Sequence, residues 1–438
     1  MNLPFEARRR LVLDAISPGA LLIWSAPVMI RNNDVEHEYR QDSDFYYLTG
    51  FDEPESALLL KSGPDSKSIV FVRERDPERE TWDGPRLGVE RAAQALGVND
   101  AFPISALSTK LAEVLTGCDR LYFSIGQNSA ADELVISTLR RLRQTIRRGG
   151  VWPTTITEPG TILHEMRLRK DADELVALGR AIEVTEQAHR AVFASTRAGQ
   201  WEYELEAVLR SEFRRSGAER VAYSPIVASG VNATILHHRS NNRQSQAGEL
   251  ILVDAGCEYG YQSADITRTF PASGKYTPLQ RVAYEIVLRA QESAIAAIKP
   301  NATMDGVHDV AVRELVAGLI VLGIVKDELE ASLANGSYKK YYMHRTSHWL
   351  GMDVHDVGAY HVSGKPRALV PNMVLTVEPG LYFPISDEAV PEELRGTGIR
   401  IEDDILVTPT GFANLSKDIP KYPDEIESIM SQSQGRLG

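Results

Sequence analysis

LILVDAGCEYGYQSADITRTF, residues 250–270, contains two apolar segments rich in β-branched residues, and one aspartate interrupts each of them, Asp254 and Asp265. The turn-forming segment 256–260 lies between them and predicts a β-hairpin. Burying a carboxylate in an apolar strand is costly unless a cation or hydrogen bonds compensate its charge. A hairpin would bring both aspartates to one spot, which suits a metal ion. Alternatively, each aspartate marks a strand end and faces water, and the hairpin alone does not decide between these interpretations.

Two further carboxylates stand in strand-like segments of the second half of the chain. Glu378 ends the apolar run 374–377, and Glu402 lies within the predicted strand 398–408. On a strand with a side-chain period of two, Arg400 and Glu402 share one face, so this face is polar within an otherwise apolar strand. For Glu402 alone, an edge strand with a solvated face is an alternative.

Five of the ten histidines fall in two short segments. A single histidine is more often structural than a ligand, but five of them beside four strand carboxylates indicate a site. They form no His-Glu-x-x-His zinc helix, and neither cysteine has a partner at metal spacing. The five are His237, His238, His344, His348 and His355.

Four carboxylates and one imidazole would make an oxygen-rich site. This donor set favours a hard or borderline ion such as Mn²⁺, Co²⁺ or Fe²⁺ over a thiolate-type zinc site. Four carboxylates carry more negative charge than one divalent ion neutralises, so we expect two ions. Two ions roughly 3.5–4 Å apart can share a hydroxide and hold a tetrahedral intermediate.

The chain divides into two predicted domains, residues 1–170 and 171–438. The first has the alternating strands and helices of an α/β unit, with strands predicted at 20–30, 57–61, 68–72 and 121–125. Glycines and prolines between 149 and 160 predict a linker. In the second domain two helices are followed by paired strands twice, which predicts an internal duplication. Its helices are predicted to begin near residues 171, 203, 277 and 304.

Composition places the chain among ordinary globular proteins, with 43% hydrophobic and 25% charged residues. The formal net charge of -12 and the lack of a long basic run argue against a nucleic-acid partner. Two cysteines exclude a disulfide framework and suit a reducing cytosol. No segment of the sequence reads as a membrane span or a signal peptide, so we expect a cytoplasmic protein without a membrane partner.

The motifs around these residues resemble those of the pita-bread dinuclear metallopeptidases, and within that group those of the bacterial Xaa-Pro aminopeptidases. The resemblance implies an α/β (α+β) fold with a creatinase-like N-terminal domain and a C-terminal pita-bread domain built by pseudo-two-fold duplication. It covers nearly the whole chain, because YRQDSDFYYLTGFDEPES near the N-terminus also takes part. The other motifs are ILHH, VDAGCEY, ADITRTF, SHWLGMDVHD, LTVEPGLYF and GIRIEDDIL.

The resemblance implies that five residues bind two divalent ions, with Mn²⁺ expected first and Co²⁺, Fe²⁺ or Zn²⁺ as alternatives. Asp265 and Glu402 would bridge the two ions. Glu378 would also act as general base and proton shuttle for a hydroxide held between them. The five ligands would be Asp254, Asp265, His348, Glu378 and Glu402.

The resemblance assigns substrate contacts as well. His237 and His355 would hold the substrate and stabilise the oxyanion, and His344 would line the proline side. Tyr382 and Arg400 match residues that support the ligands, and Arg400 would pair with a ligand carboxylate.

The first domain would serve oligomerisation and substrate access. Asp44 and Trp82 would approach the amino-terminal end of the substrate. Trp82 would reach the site of a neighbouring subunit, because relatives assemble as dimers of dimers.

The implied activity is release of the first residue from peptides with proline in the second position. A bond before proline has no N–H, so proteases that recognise this donor are poorly suited to it. The aromatic and histidine-rich segment 341–360 would supply a compact proline pocket. A prolidase shares the fold and the five ligands but cleaves only dipeptides, and the N-terminal motifs favour the aminopeptidase. A non-catalytic peptide-binding relative would have lost ligands that this chain retains.

Overall fold

The computed structural model describes residues 4–144 and 149–434. Contacts divide the chain into two compact units, Met1–Met166 and Arg167–Gly438, called unit 1 and unit 2 below. Within the described residues, no helix is long and apolar enough to cross a membrane.

Unit 1 is built on a six-stranded mixed sheet with the order β6-β5-β4-β1-β7-β8. β1 pairs antiparallel with β4 and parallel with β7, while β2 and β3 form a separate hairpin. The strands are β1 (Ala20–Trp24), β2 (Ile30–Asn32), β3 (Val35–Glu36), β4 (Ala57–Lys61), β5 (Lys67–Val72), β6 (Asp100–Pro103), β7 (Arg120–Tyr122) and β8 (Thr155–Thr157).

Helices cover both faces of the central strands, which explains why ALLI in β1 and ALLL in β4 are buried without alternation. On one face Leu22 and Leu59 pack with Leu111 and Val135, which come from two different helices. The helices that begin in unit 1 are α1 (Pro4–Ala15), α2 (Ser43–Thr49), α3 (Pro77–Asp83), α4 (Val89–Leu96), α5 (Leu107–Leu115), α6 (Ser129–Arg143) and α7 (Gly160–Leu168).

Two sequence predictions for unit 1 need correction. The predicted strand 20–30 ends at Trp24, and Pro27 in the following segment has no N–H to continue the ladder. The predicted linker contains β8, whose residue Ile156 lies opposite Leu121 of β7 in the sheet. The strand predicted at 57–61 is confirmed to the residue.

Unit 2 packs two pairs of helices against short antiparallel strands around one large core. The first helix begins with a capping box, because Asp171 and Glu174 each accept a backbone N–H from the other's residue. Thr277 and Gln280 form a second capping box, with Pro278 as the first residue of the helix. The helices are α8 (Ala172–Ser195), α9 (Glu202–Arg215), α10 (Pro278–Ala296), α11 (Met304–Val321), α12 (Leu329–Asn335) and α13 (Pro423–Gln434).

The strands of unit 2 repeat one arrangement, which confirms the predicted duplication. A three-stranded sheet β10-β11-β14 follows α8 and α9, and a three-stranded sheet β17-β20-β21 follows α10 and α11. The strands are β9 (Arg220–Val221), β10 (Ile226–Ser229), β11 (Leu250–Asp254), β12 (Cys257–Tyr259), β13 (Gln262–Ser263), β14 (Thr267–Pro271), β15 (His361–Val362), β16 (Lys365–Pro366), β17 (Val374–Val377), β18 (Gly380–Phe383), β19 (Thr397–Arg400), β20 (Asp403–Thr408) and β21 (Gly411–Asn414).

The predicted hairpin is confirmed as the antiparallel pair β11 and β14, in which Asp254 lies opposite Thr267. The connection is longer than a simple turn, because β12 and β13 form a small hairpin of their own within it. Asp265 stands just before β14 and therefore beside the end of β11. The register brings the two aspartates to the same end of the strand pair.

The predicted strand 398–408 is wrong as a single element. β19 pairs with β18, with Arg400 opposite Gly380, whereas β20 pairs with β17, with Asp403 opposite Val377. The chain changes partner strand at Ile401 and Glu402, so its ladder is interrupted there. The partner strands β17 and β18 are separated in the same way.

Candidate metal centre

A cavity of about 430 Å³ in unit 2 collects most of the predicted site residues. It lies at the C-terminal ends of β11, β17 and β19 and just before the start of β14. The segment between α12 and β15 also contributes to it. Unit 2 contributes all of its lining residues. Those that the sequence predicted are Asp254, Asp265, His348, Glu378, Glu402, His237, His344, His355 and Arg400.

Three predicted ligands already lie at metal-binding distance from one another. One ligand atom from each of Asp265, His348 and Glu402 lies within 4.8 Å of the others. His348 Nε2 is 3.2 Å from Asp265 Oδ2 and 3.7 Å from Glu378 Oε1. His348 Nδ1 is 3.0 Å from the carbonyl oxygen of Trp349 and donates to it, so Nε2 is the nitrogen that faces the carboxylates. Burial lowers the pKa of His348, but the hydrogen bond to Asp265 and the carboxylate charges raise it overall to about 9, so Nε2 carries a proton until an ion displaces it.

Asp254 and Asp265 are joined by a residue that the sequence analysis missed. The Tyr223 hydroxyl lies 2.5 Å from Asp254 Oδ1 and 2.6 Å from Asp265 Oδ1, and it can donate its single proton to one of them at a time. Arg400 Nη2 donates to the other oxygen, Asp254 Oδ2, at 2.6 Å. Both oxygens of Asp254 are therefore oriented by neighbours.

Glu402 is held at its side chain and at its backbone. Thr267 Oγ1 donates to Glu402 Oε2 at 2.6 Å, and Arg400 Nε donates to the same hydroxyl oxygen at 3.2 Å. The fully buried Arg268 donates to the carbonyl oxygen of Glu402 at 2.6 Å and to Asp403 Oδ1 at 2.7 Å. Such outer contacts orient a ligand before an ion binds.

The cavity brings several buried carboxylates close to one another. Burial, followed by the charges of the neighbouring carboxylates, raises the pKa of Glu402 well above its ordinary value. Burial raises the pKa of Glu378 to about 7, although His348 and Arg400 oppose the shift. A divalent cation would remove the repulsion that these carboxylates exert on one another. The oxygen-rich donor set and the Nε2 of His348, which loses its proton on binding, fit a hard or borderline divalent ion.

His344 belongs to a chain of hydrogen bonds whose protons can be assigned. Its Nδ1 lies 2.8 Å from the carbonyl oxygen of Arg345, so Nδ1 is the donor there. Arg400 Nη1 donates to the Tyr382 hydroxyl at 2.9 Å, and this hydroxyl is 2.8 Å from His344 Nε2. With its proton on Nδ1, a neutral His344 accepts the Tyr382 hydroxyl proton at Nε2. Burial, and then Arg400, lower the pKa of His344 to about 3, which agrees with this state.

His355 and His237 line the same cavity from different segments. The His355 ring packs edge-on against His348 with 4.4 Å between ring centroids. Burial, and then the neighbouring His348, lower the pKa of His355. The next residue, Asp356, is buried and pairs with Arg167 and Lys170, which anchors the backbone at His355.

The structure describes Asp44 and Trp82 within unit 1. Asp44 stands in the first turn of α2, where it lines a cavity of about 250 Å³ and lies 3.5 Å from His164 Nε2. Trp82 stands in α3 with 83% of its surface exposed. Their predicted contacts with substrate stay predictions.

The residues that sequence reasoning missed have weak local signals. Tyr223 lies in a loop next to β9, and its register with the two aspartates depends on the fold. Thr267 carries a usable signal, because it sits two residues after Asp265 and shares its face on an extended chain. Arg268 lies within the motif ADITRTF and Arg239 directly follows ILHH, but an arginine at either position does not indicate its partner.

Comparison with known proteins identifies the family of this chain. The pattern of Metallopeptidase family M24 matches residues 177–409, and that of the Aminopeptidase P N-terminal domain matches residues 5–122. The chain is 44% identical to an Xaa-Pro aminopeptidase of Escherichia coli over 97% of both proteins. It belongs to the M24 metallopeptidase family.

Solved structures of M24 relatives have the same overall fold. Aminopeptidase PepP of Pseudomonas aeruginosa superposes with a TM-score of 0.96 at 43% identity and covers 98% of both chains. Zinc-substituted E. coli aminopeptidase P in complex with product superposes with a TM-score of 0.95 at 43% identity over 98% of both chains. The predicted family and fold class are confirmed, and the chain is a metal-dependent peptidase and thus a hydrolase.

Proposed function

We propose that this chain is an Xaa-Pro aminopeptidase, which hydrolyses the bond between the first residue of a peptide and a proline in the second position. The observation that carries the proposal is the convergence of all five expected ligands on one cavity of unit 2. Whole-chain similarity to proteins named Xaa-Pro aminopeptidase supports the substrate class.

Two divalent cations fit the donor set, with Mn²⁺ as the proposed ion. The residues that would hold them are Asp254, Asp265, His348, Glu378 and Glu402. When bound, such cations lower the pKa of a water molecule and polarise the carbonyl group of the substrate.

Glu378 is the proposed general base. Its carboxylate lies in the cavity 3.7 Å from His348 Nε2 and 3.8 Å from His344 Nδ1. It takes one proton from the attacking water and returns it to the proline nitrogen when the C–N bond breaks, while the remaining O–H ends on the carbonyl carbon. Glu378 alone therefore accepts and returns the transferred proton.

His355 and His237 are the proposed donors to the oxyanion that forms on the carbonyl oxygen. His344 is neutral and held by Tyr382, so it offers an uncharged wall to the proline ring. Arg400 orients Asp254 and Tyr382 together and thereby fixes both sides of the cavity. Ile226, Leu236 and Val354 would provide apolar contact for substrate side chains.

Unit 1 is proposed to serve oligomerisation and substrate access. Asp44 would meet the amino-terminal end of the peptide, and Trp82 would act in the site of a neighbouring subunit of a dimer of dimers. We propose a cytoplasmic location for this assembly.

The experiment removes metal from the purified enzyme and then adds Mn²⁺ back. Release of free alanine is measured from the tripeptide Ala-Pro-Ala and from the dipeptide Ala-Pro. Metal-dependent cleavage of the tripeptide supports the proposal. Cleavage of the dipeptide alone would make the protein a prolidase, and no cleavage of either peptide would refute both.

A further inference from the structure

One arginine that lines the cavity has no hydrogen-bond or ion-pair partner among the residues that the structure describes. Among the described residues that line the cavity, the arginines are Arg239, Arg345 and Arg400. Arg400 is buried and pairs with Asp254, and Arg345 pairs with Asp305. Arg239 is exposed and has no hydrogen-bond or ion-pair partner within residues 4–144 and 149–434.

The backbone around Arg239 is anchored on both sides. The preceding His238 is buried, and its Nε2 lies 3.0 Å from Oε2 of the buried Glu202. Two residues further on, the Asn241 side chain donates to Glu206 Oε2 and to the carbonyl oxygen of Pro225, each at 2.8 Å. The free guanidinium therefore stands on a fixed loop, which reduces the entropy lost when it binds a partner.

Charge distribution indicates which end of a peptide this arginine would meet. A free peptide has a cationic amino terminus and an anionic carboxyl terminus. Among the residues that line the cavity, the carboxylates of Asp254, Asp265 and Glu402 are buried, whereas Arg239 is exposed to solvent. A guanidinium repels the amino terminus and forms charge-assisted hydrogen bonds with a carboxylate.

We propose that Arg239 is a specificity-determining residue that binds a carboxylate of the peptide beyond the scissile bond. The free α-carboxylate of a short peptide and an acidic side chain at its third position share this chemistry. The inference rests on the proposed aminopeptidase function, because it names a preference among its substrates.

The test compares substrates that differ only in charge, using enzyme loaded with Mn²⁺. Ala-Pro-Ala is assayed beside Ala-Pro-Ala-amide, and Ala-Pro-Glu-amide beside Ala-Pro-Gln-amide. We expect kcat/KM of the wild type to be roughly two- to tenfold higher for the charged member, the range of an exposed to partly buried charged hydrogen bond. The first pair reports on the terminal carboxylate and the second pair on the side chain.

Variants identify the residue responsible. Arg239→Gln should raise KM for the charged substrates until the preference disappears, with kcat nearly unchanged, because the contact is made equally in the ground and transition states. Arg239→Lys should restore part of the preference. Arg345→Gln is the matched control, since Arg345 lines the same cavity but is already paired, and it should leave the preference intact.

The outcomes separate the two proposals. If the wild type cleaves none of these peptides, the aminopeptidase function fails. If it cleaves charged and amidated peptides equally, or if Arg239→Gln leaves the preference unchanged, the role of Arg239 is refuted and the aminopeptidase function stands.

Discussion

Neutralising Asp356 should destabilise unit 2 by an amount that can be estimated from two ion pairs of the same arginine. Arg167 Nη2 lies 2.6 Å from Asp356 Oδ1 and 2.6 Å from Asp353 Oδ2. The two carboxylates differ in exposure, with 1% of the Asp356 side chain accessible and 36% of that of Asp353. Lys170 Nζ adds a second buried partner to Asp356 at 2.7 Å. The same arginine thus forms a buried pair and a partly exposed pair of equal length.

Asp356→Asn removes the buried negative charge and leaves Arg167 and Lys170 undercompensated. Breaking one side of a buried ion pair costs about 3–5 kcal/mol of unfolding free energy. Asp353→Asn breaks a partly exposed pair and should cost at most about 1 kcal/mol. At about 2 °C per kcal/mol for a domain of this size, the unit 2 transition should fall by roughly 6–10 °C in the first variant and by about 2 °C or less in the second.

Calorimetry of the two variants and the wild type measures these shifts, and its pH dependence checks their cause. Burial alone would raise the pKa of Asp356, but Lys170 and Arg167 lower it below the ordinary value. A lowered folded-state pKa gives stability that is complete above the unfolded pKa of about 3.9 and is lost as pH falls through the folded value. The gap between wild type and Asp356→Asn should therefore stay constant down to about pH 5 and narrow below it. Equal shifts for the two variants would refute the argument from burial.

Further predictions concern the cavity and its frame. Glu378→Ala should abolish peptide cleavage even if some Mn²⁺ still binds; near-normal turnover in the metal-replete variant would remove its role as base. Arg400→Ala should lower kcat/KM while circular dichroism shows a folded protein, and unchanged kinetics would contradict its support of Asp254. Tyr223→Phe should weaken Mn²⁺ binding about 10–100-fold in calorimetric titration, because the two aspartates lose the one donor that they share. Gly398→Ala should destabilise unit 2 by about 1–3 kcal/mol, since its Cβ would lie 1.9 Å from a backbone oxygen, whereas Gly411→Ala, with nothing within 4 Å, should change the melting temperature little.

Local sequence patterns predicted strands, helix starts and strand pairing correctly where the residues that determine them lie close together in the chain. The short apolar run 57–61 predicts a strand, and its bounds are confirmed. It is buried without alternation because helices cover both faces of the sheet. Asp171 and Thr277 start helices through contacts three residues away, so their capping boxes are visible in the sequence. The pairing of β11 with β14 follows from two apolar runs joined by turn residues.

Features that depend on distant partners could not be predicted. The segment 398–408 has no proline, and no glycine after its first residue, to mark a break, yet it divides because β17 and β18 take different halves of it as partners. Nothing near Tyr223 in the sequence indicates that its hydroxyl meets two carboxylates from β11 and the segment before β14. The sequence also does not indicate that Arg345 has an ion-pair partner whereas Arg239 has none among the described residues. Whether an arginine is paired depends on where the loops place it.

The break in the ladder at Glu402 explains how an apolar sheet can present carboxylates to a cavity. A carboxylate inside a continuous buried strand would face the core, which is costly. At the points where the chain changes partner strand, other backbone oxygens satisfy the amides: Glu402 N donates to Thr267 O at 3.1 Å, and Glu378 N donates to Thr346 O at 2.8 Å. Each side chain is then free to face the cavity while its backbone remains bonded. The break between β17 and β18 lies opposite the break between β19 and β20. This one change in strand pairing therefore places both glutamates beside the aspartates of the first half.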